Sequence, residues 1–419
     1  MIYVVNVNDM PMMPCTNVIG RLLLKDGVAK VIRRTPFTIK LLRAPSKSFM
    51  QVLTLGIDVG SKVAGFGVTD NRGIVYYSSE IELRHDIKCK MDRRRIYRRN
   101  RRSRKCRYRE SRFNNRKNSM RSGRLSPTIQ SKINSHTKEI KYINKILPIS
   151  STIIEIGKFD PHAIKNPAVI ENSTLYQRGT LYGFANVKSF VLDRDRYTCQ
   201  KCSGRSRDKQ LHCHHIIYRG KNGSDIPDNL ITLCKTCHDK VHSGIIKLND
   251  QGKRKGSLNH ATHQNIINKR IVELFSNGFL TYGYITKTNR EELGLPKSHC
   301  NDALVISSRG ISLKIRNEVM LIKKCVPRGD YKQTMGGRIE KLVPRGKISG
   351  FRKFDKVKYL GVTCFIKRRR SKGIFTLMDI SGIEIKFTPS PKASTIKRIE
   401  SRKYWMITEK SIPSLKRDL

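Results

Sequence analysis

The sequence predicts an α/β protein built from several domains, and three observations support this fold class. The chain has 419 residues, which is enough for two to three domains with their own cores. Apolar, β-rich runs at 52–60, 62–70 and 73–83 are separated by short turns and predict a three-stranded meander. Two Cys-x-x-Cys pairs between 199 and 237 indicate a small metal-stabilised unit later in the chain.

The charge of the chain indicates a polyanionic partner. There are 85 Lys and Arg residues against 33 Asp and Glu, which gives a formal net charge of +52. Such an excess would repel itself in a compact state unless a polyanion neutralised it, and nucleic acid is the obvious polyanion. The charge indicates the class of partner but not an enzymatic activity, because a ribosomal-protein-like binder would show the same excess of basic residues.

The cysteine usage and the hydropathy predict an intracellular protein with no membrane contact. Eleven cysteines stand at irregular spacing, which fits a reducing compartment with one metal site rather than a disulfide framework. The sequence has no run of eighteen apolar residues and no signal-peptide layout at its N-terminus. We therefore expect it in the cytoplasm or nucleoid of a bacterium, or in an organelle.

An arginine-rich run at 93–117 follows the predicted meander. It holds fourteen Arg or Lys residues and one acid, Glu110, with no Pro or Gly to interrupt a helix. A charge run is usually a disordered tail, but this one lies between two predicted folded segments and is interleaved with apolar and aromatic residues. We expect a helix about 38 Å long that binds the phosphate backbone of nucleic acid. The arginines predicted to bind are Arg94, Arg95, Arg98, Arg99, Arg101, Arg102, Arg104, Arg107, Arg109 and Arg112.

The remaining segments predict alternating helices and strands. At the N-terminus, strands at 2–6 and 37–42 flank a turn at 10–15. Gly-rich basic turns separate short strands after 311 and suggest a small β-barrel. The other predicted elements are a helix at 129–147, a buried strand at 151–159, a helix at 264–276, a strand at 279–285 and a helix at 297–307.

The two Cys-x-x-Cys pairs predict a structural zinc site. Cys199, Cys202, Cys234 and Cys237 fit a tetrahedral Zn²⁺ ion that holds together a unit too short to make its own core. A thioredoxin-like redox pair is the alternative, but it needs one such pair rather than two that flank a histidine pair.

Histidines between the cysteine pairs predict phosphodiester hydrolysis. This reaction needs a base that activates water and a metal that holds the phosphate oxygens. We expect His215 to be the base and His214 and His238 to ligate one Mg²⁺ ion. Asn229 would hold the loop or orient His215, and His242 would contact phosphate or only pack. The alternative is a zinc ribbon that binds DNA without cutting it.

A second predicted site is dispersed along the chain. Asp58 ends the first strand of the meander, Glu155 lies in the buried strand, and His299 and Asp302 stand one turn apart on a predicted helix. A carboxylate in an apolar strand is unfavourable unless it is paired or metal-bound. Carboxylates that meet on a sheet face would bind two Mg²⁺ ions about 4 Å apart for phosphoryl displacement. Taken alone, Asp302 would be interpreted as a surface acid.

In this order, the motifs resemble IscB, the transposon-encoded RNA-guided nuclease family from which the large RuvC–HNH CRISPR effectors derive. GIDVGSK, EIGKFD and KSHCNDA resemble the three RuvC motifs, the arginine run resembles the bridge helix, and HCHHI…N…LCKTCH resembles the HNH motif. PMMPC resembles the N-terminal PLMP motif, with Met12 where the family has Leu. The C-terminal segment resembles the domain that reads the target-adjacent motif.

The resemblance implies an RNase H-like RuvC domain split into three segments, with a ββα-metal HNH domain inserted between the second and third. The implied catalytic residues are Asp58, Glu155, His299 and Asp302 for RuvC and His214, His215 and His238 for HNH. The implied boundaries are 1–50 (PLMP-like), 51–90, 119–165 and 262–310 (RuvC), 91–118 (bridge helix), 166–189 and 246–261 (linkers), 190–245 (HNH) and 311–419 (C-terminal RNA- and motif-interacting domain).

The resemblance also implies the partners of the chain. A noncoding guide RNA, the ωRNA, would pair with one strand of a double-stranded DNA target, so that HNH cuts the paired strand and RuvC the displaced one. The protein would act as a monomer in a ribonucleoprotein, and a substantial RNA would supply part of the scaffold. A protein-only HNH homing endonuclease, a junction resolvase and a non-catalytic RNA-binding protein are the alternatives.

Overall fold

The structure is a computed structural model that divides into two compact units. The first unit comprises Met1–Gly157 and His263–Leu419, and the second comprises Lys158–Thr262. No helix among the described residues is long and apolar enough to cross a membrane. The described residues are 1–44, 49–103, 124–157, 181–218, 223, 225–248, 259–275, 277–327, 346–370, 372–402 and 404–413.

The N-terminal module of the first unit is a four-stranded sheet with one helix, in the strand order β2-β1-β4-β3. The turn predicted at 10–15 is wrong, because residues 11–15 form an edge strand whose Met12 and Cys15 pack against the apolar core of the module. An edge strand tolerates its two prolines, since one side of it needs no partner. The elements are β1 (Ile2–Val5), β2 (Pro11–Cys15), α1 (Asn17–Lys25), β3 (Ala29–Arg33) and β4 (Thr38–Leu41).

A seven-stranded sheet forms the centre of the first unit, in the order β11-β8-β5-β6-β7-β12-β18. The predicted meander is confirmed as β5, β6 and β7, which pair antiparallel. β8 lies parallel to β5, and β11 lies parallel to β8. The strands are β5 (Leu53–Asp58), β6 (Val63–Asp70), β7 (Val75–Glu82), β8 (Ile149–Ile156), β11 (Phe279–Tyr282), β12 (Val319–Cys325) and β18 (Trp405–Ser411).

Five helices of the first unit accompany this sheet. The helix predicted at 129–147 is confirmed as α3, which begins at Pro127 after the capping hydroxyl of Ser126. The arginine-rich helix begins earlier than predicted, and its predicted residues 104–117 lie outside the described part of the chain. The helices are α2 (Ile87–Ser103), α3 (Pro127–Ile143), α6 (Asn259–Leu274), α7 (Gly283–Glu292) and α8 (His299–Ser308).

The C-terminal region departs from the predicted single domain at 311–419. β12 and β18 pair with each other, and β12 also pairs with β7, so both strands belong to the central sheet. The other strands form a separate antiparallel sheet with its own apolar core, in the order β16-β15-β14-β13-β17. No pairing of its edge strands closes this sheet among the described residues, and the barrel stays a prediction. The strands are β13 (Lys356–Tyr359), β14 (Val362–Arg369), β15 (Phe375–Met378), β16 (Glu384–Ile385) and β17 (Lys397–Glu400).

The second unit contains a β-hairpin followed by a helix. β9 and β10 pair antiparallel, and a short 3-10 turn at Pro227–Asn229 precedes β10. Among its described residues, three cysteines, Leu233 and Val241 are the buried members of its core cluster. The elements are α4 (Val187–Arg194), β9 (Leu211–His215), β10 (Leu230–Cys234) and α5 (Lys235–His242).

Candidate active sites

The structure brings the four predicted zinc ligands together in the second unit. The sulfur atoms of Cys199, Cys202, Cys234 and Cys237 lie within 4.8 Å of one another, and none is in a disulfide. The Sγ atoms of Cys202 and Cys234 are 3.8 Å apart. Zn–S bonds of about 2.3 Å in a tetrahedron place sulfurs roughly 3.8 Å apart, so the cluster fits Zn²⁺. We call these four residues the cysteine cluster.

The same hairpin and helix gather three histidines into a second possible metal site. His214 lies on β9, and His238 and His242 stand one helical turn apart on α5. Their ligand nitrogens lie within 4.8 Å of one another. The buried Nε2 atom of His214 has no hydrogen-bond partner among the described residues. His242, which the sequence left open between a phosphate contact and packing, therefore stands where a third ligand would stand.

The chemistry of these three side chains favours a transition metal over Mg²⁺. Burial, and then the neighbouring imidazoles, lower the pKa of His214 to about 4, so its ring is neutral and available to a metal at pH 7. Imidazole nitrogens suit Zn²⁺, Ni²⁺ and similar ions, whereas Mg²⁺ prefers oxygen ligands. The predicted Mg²⁺ ion at this site stays a prediction, and the donor set itself fits a transition ion better.

His215 lies beside this metal site on β9 and has a partner that the sequence did not reveal. Its Nε2 atom lies 2.7 Å from the Oδ1 atom of Asp225. When Nε2–H donates to this carboxylate, Nδ1 carries the free lone pair and can accept a proton. Asp225 stands in a loop ten residues further along the chain, and no spacing rule singled it out. We call His214, His215, His238 and His242 the histidine site.

Asn229 holds the loop that follows His215. Its Oδ1 atom accepts from the backbone N–H of Ile217 at 2.9 Å, and its Nδ2 donates to the Ile217 carbonyl at 3.1 Å. Its own carbonyl accepts from the Ile216 N–H at 2.9 Å. Of the two roles offered by the sequence, these contacts supply the loop-holding one.

The dispersed acidic residues also converge, in the first unit. Asp58 on β5 and Glu155 on β8 are direct partners in the parallel register, so both carboxylates lie on one face at the carboxyl ends of the strands. The Nδ1 atom of His299 lies 2.5 Å from the Oδ2 atom of Asp58. Asp302 stands in the first turn of the same helix, α8. We call Asp58, Glu155, His299 and Asp302 the acid site.

Two glycines allow α8 to lie this close to the sheet. A Cβ atom added to Gly65 on β6 would lie 1.8 Å from the carbonyl oxygen of His299. One added to Gly56 on β5 would lie 2.2 Å from the carbonyl oxygen of Ala303. Since these contacts are with backbone, any larger residue would push the helix away. The GIDVGSK and GFG segments therefore supply the close approach as well as the acid.

Mutual repulsion and burial perturb the carboxylates of the acid site. Burial, followed by the charge of Asp58, raises the pKa of Glu155 to about 7. The same two causes raise the pKa of Asp302, whose Oδ1 atom lies 2.9 Å from the Nε atom of Arg290 on α7. Carboxylates in this condition favour a bound divalent cation, and oxygen donors suit Mg²⁺. The sequence analysis missed Arg290, because nothing in its local pattern separates it from a surface arginine.

The acid site differs from the other two groups in how its side chains are paired. Among the described residues, only the cysteine cluster and the three histidines gather three or more metal-ligating atoms within 4.8 Å of one another. In the acid site, Asp58 and Asp302 each have a basic partner, His299 and Arg290 respectively. The two Mg²⁺ ions expected at this site stay a prediction.

Two amides on α6 hold the strand ends that carry the acids. Gln264 donates from Nε2 to the carbonyl of Val59, directly after Asp58, and to the Oδ1 atom of Asn268 at 2.9 Å. Asn268 donates from Nδ2 to the carbonyl of Gly157 at 2.8 Å. Both amides are buried. We call Gln264 and Asn268 the amide clamp. The sequence analysis missed it, although two buried amides one turn apart on an amphipathic helix were a usable signal.

The described part of the arginine-rich helix α2 is a basic surface. It has 17 residues and is about 26 Å long. Arg93, Arg94, Arg95, Arg98 and Arg99 are all exposed. Arg101 and Arg102 belong to the helix by their backbone, and their side chains lie outside the described set. The predicted contacts of Arg104, Arg107, Arg109 and Arg112 also lie outside the described residues.

Two family models match the chain. Residues 2–179 match the family described as RRXRR protein, and residues 199–244 match the family described as HNH endonuclease. The first match contains Asp58, Glu155 and α2, and the second contains the cysteine cluster and the histidine site.

Individual proteins are similar to parts of the chain. The type IV methyl-directed restriction enzyme EcoKMcrA of Escherichia coli strain K12 is 25% identical over 99 residues, 22% of this chain and 34% of the enzyme. Anaredoxin of a Nostoc species is 30% identical over 67 residues, 16% of this chain and 86% of that protein. The chain thus spans about a third of the length of the restriction enzyme.

A solved structure is also similar to the chain. The crystal structure of Streptococcus thermophilus Cas9 in complex with the AGAA PAM covers 51% of this chain and 31% of its own, at 10% identity and a TM-score of 0.31.

Proposed function

Since the chain belongs to the IscB-like RuvC–HNH nucleases, we propose that it is an RNA-guided endonuclease that cuts the two strands of a DNA target at two separate sites. The observation that carries this proposal is the presence of two chemically different candidate metal sites on one chain. The acid site offers oxygen ligands and the histidine site offers nitrogen ligands, so neither is a copy or a part of the other. Two sites suit a substrate with two strands.

The histidine site would cut the strand that is paired with the guide RNA. His215 Nδ1 would take a proton from water while the water oxygen attacks phosphorus, and Asp225 would hold the imidazole in the required tautomer. His214, His238 and His242 would hold a divalent ion, which when bound supplies charge neutralisation at the phosphate and the leaving 3′ oxygen. The cysteine cluster would keep β9 and α5 in register for this arrangement.

The acid site would cut the displaced strand. Asp58, Glu155 and Asp302 would hold Mg²⁺ ions, which when bound supply activation of water and stabilisation of the leaving oxygen. His299 lies against Asp58 and can hold a proton beside the reacting phosphate. The hydrogen bond to Asp58 chiefly raises the pKa of His299, which favours the protonated form of its imidazole.

The charge of the chain supports a nucleic-acid partner that stays bound. A formal charge of +52 would repel itself in a compact state, and an RNA that is bound throughout would compensate it. The exposed arginines of α2 offer phosphate contacts that carry affinity without reading sequence. The target would be chosen by base pairing and by a short adjacent motif.

A guide-free endonuclease is the second candidate. The similarity to a restriction enzyme over 99 residues favours it, because that enzyme is described as methyl-directed rather than RNA-guided. In that case the histidine site would act alone on duplex DNA, and the acid site would be left without a role.

Plasmid cleavage by the purified ribonucleoprotein separates these candidates. The chain is purified with its co-expressed RNA and tested with divalent metal, before and after complete RNase digestion. We expect cutting that is lost with the RNA. Cutting that survives full RNA removal would support the guide-free endonuclease, and no cutting under any condition would support a binding protein.

Single-site variants test the assignment of strands. We expect Asp58→Ala and His215→Ala to convert double-strand cutting to nicking of opposite strands, each with about a hundredfold or greater loss at its own strand. Strand-specific end-labelling measures both rates. Full double-strand cleavage by Asp58→Ala would exclude its role, and loss of both cuts in His215→Ala would indicate a folding defect instead.

A further inference from the structure

A cavity of 140 Å³ lies inside the first unit, at a place that neither hydrolytic site uses. Its lining comes from four parts of that unit. Arg33 and Thr35 belong to the N-terminal module, Tyr142 lies just before the end of α3, Lys356 begins β13, and Trp405 begins β18. We call this cavity the aromatic cavity.

The aromatic walls of this cavity are fixed in place. The rings of Tyr142 and Trp405 pack edge to face with their centroids 6.0 Å apart, and Tyr404 packs against Trp405 at 5.4 Å. Behind them, the buried Nζ atom of Lys323 lies 4.1 Å from the Tyr142 centroid and 4.9 Å from the Trp405 centroid. Lys323 is itself held by Glu139 at 2.7 Å. The cavity is therefore formed before any ligand enters.

Two polar groups in the cavity walls are poorly satisfied. The Nη1 atom of Arg33 and the hydroxyl of Tyr142 are buried, and neither has a hydrogen-bond partner of regular geometry among the described residues, although the two side chains lie against each other. The buried Nε1 atom of Trp405 lies beside the thiol of Cys325. Buried donors without acceptors are unfavourable and rare in folded proteins. The guanidinium of Arg33 also lies 4.5 Å from the Tyr142 centroid and presents a second flat surface. A planar ligand with acceptor atoms on its edge would satisfy these groups.

We propose that the aromatic cavity holds one unpaired pyrimidine base of the bound RNA. This inference rests on the proposed function, because it takes RNA as the partner. A cavity of roughly 150 Å³ is known to admit one six-membered aromatic ring, so a pyrimidine fits and a purine would protrude. Unpaired RNA bases are recognised by stacking on aromatic rings and arginine planes, with hydrogen bonds to their edges. The carbonyl oxygens of uracil or cytosine are the acceptors that the donors need.

The protein carries a built-in reporter for this site, because Trp405 is its single tryptophan. The full chain, freed of co-purified nucleic acid at high salt, is titrated with hexauridylate while tryptophan emission is followed. We expect saturable quenching, since a base that enters the cavity must contact Trp405. Hexaadenylate should quench it much less, because the larger base does not enter fully.

Variants of the cavity wall separate base insertion from general charge attraction. Arg33→Ala removes one donor and one stacking plane, and we expect the quenching affinity to fall about tenfold or more. Tyr142→Phe keeps the ring and removes only the hydroxyl, so a smaller loss is expected. Arg34→Ala is the matched control, because Arg34 is the exposed neighbour and does not line the cavity. It should leave the affinity unchanged.

Two further probes define the ligand. Heparin is a polyanion without bases, and it should bind the chain without quenching Trp405. Hexadeoxyuridylate carries the same base on deoxyribose, and weaker quenching than by hexauridylate is expected. Equal effects of Arg33→Ala and Arg34→Ala, or equal quenching by heparin, would overturn the proposal. Quenching by the DNA oligomer alone would overturn RNA as the source of the base.

The outcome is independent of the cleavage assay. If cutting requires RNA but Trp405 does not respond to hexauridylate, the cavity proposal fails and the guided function stands. If cutting survives RNA removal while Trp405 still responds, the guided function fails and the cavity remains a base-binding site.

Discussion

The two candidate sites differ in how far apart along the chain their residues lie. The acid site joins Asp58 to His299, which are 241 residues apart, on a seven-stranded sheet with a large apolar core. The histidine site lies on one hairpin and one helix, and in the adjoining cysteine cluster Cys202 and Cys234, whose sulfurs are 3.8 Å apart, are 32 residues apart in sequence. The first site is positioned by tertiary packing and the second by local structure and the cysteine cluster.

This difference predicts that the two sites are disabled by different kinds of substitution. The core cluster of the second unit has few apolar members, so the cysteine cluster must supply much of its stability. The acid site instead depends on how closely α8 and α6 approach the strand ends. The long insertion between β8 and α6 is tolerated because the entropy of loop closure grows only slowly with length.

Loss of a zinc ligand should have the largest effect and should be confined to the second unit. We expect Cys199→Ser to abolish cutting at the histidine site and to reduce the zinc content, because metal binding in such units is folding free energy. Zinc per chain is measured by mass spectrometry, together with strand-specific cleavage. Cys213→Ser is the matched control, since Cys213 lies on β9 outside the cluster. Undiminished zinc in Cys199→Ser would argue against the cysteine cluster.

A single methyl group added to the central sheet should impair the acid site and leave the histidine site unchanged. In Gly65→Ala the new Cβ would meet the His299 carbonyl at 1.8 Å, so α8 must shift away from Asp58. Displacements near 1 Å cost roughly a hundredfold in rate, and we expect that loss at the acid site alone. Gly346→Ala is the control, because nothing lies within 4 Å of its added Cβ. Unchanged nicking of the displaced strand would show that α8 has more freedom than its packing implies.

The same contrast explains what could be predicted from the sequence. The cysteine cluster, His214 and His238 were predictable because their ligand spacing is local and repeats a known metal chemistry. The meander was predictable from its turns, whereas the acid site was predicted from Asp58 at a strand end, Glu155 in a buried strand and the family resemblance that added His299 and Asp302. Asp225 and Arg290 were not, because their roles arise only when distant segments pack. The region after 311 was misjudged because β12 and β18 resemble the neighbouring strands, and only their pairing assigns them to the central sheet.

A smaller effect is expected from removing one histidine, and the metal dependence of cutting then tests which donor atoms each site supplies. We expect His242→Ala to weaken cutting at the histidine site about 10- to 100-fold, with partial recovery at higher concentrations of Mn²⁺ or Co²⁺, since two imidazoles would remain. The acid site, with its oxygen donors, should keep its rate in Mg²⁺. Measuring the cleavage rate of each strand across a series of metal ions gives the metal dependence of both sites in one experiment. If His242→Ala changes neither rate nor metal dependence, His242 only packs in this site.

The smallest expected effect concerns the amide clamp. Asn268→Ala removes the donor to the Gly157 carbonyl and the acceptor for Gln264, so the spacing between the ends of β5 and β8 should relax. We expect a loss of about tenfold or less at the acid site and no change at the histidine site, because a positioning residue acts through the geometry of others. Glu273→Ala, an exposed change on the same helix, is the control. Equal losses at both sites would mean that Asn268 serves overall stability rather than the geometry of the acid site.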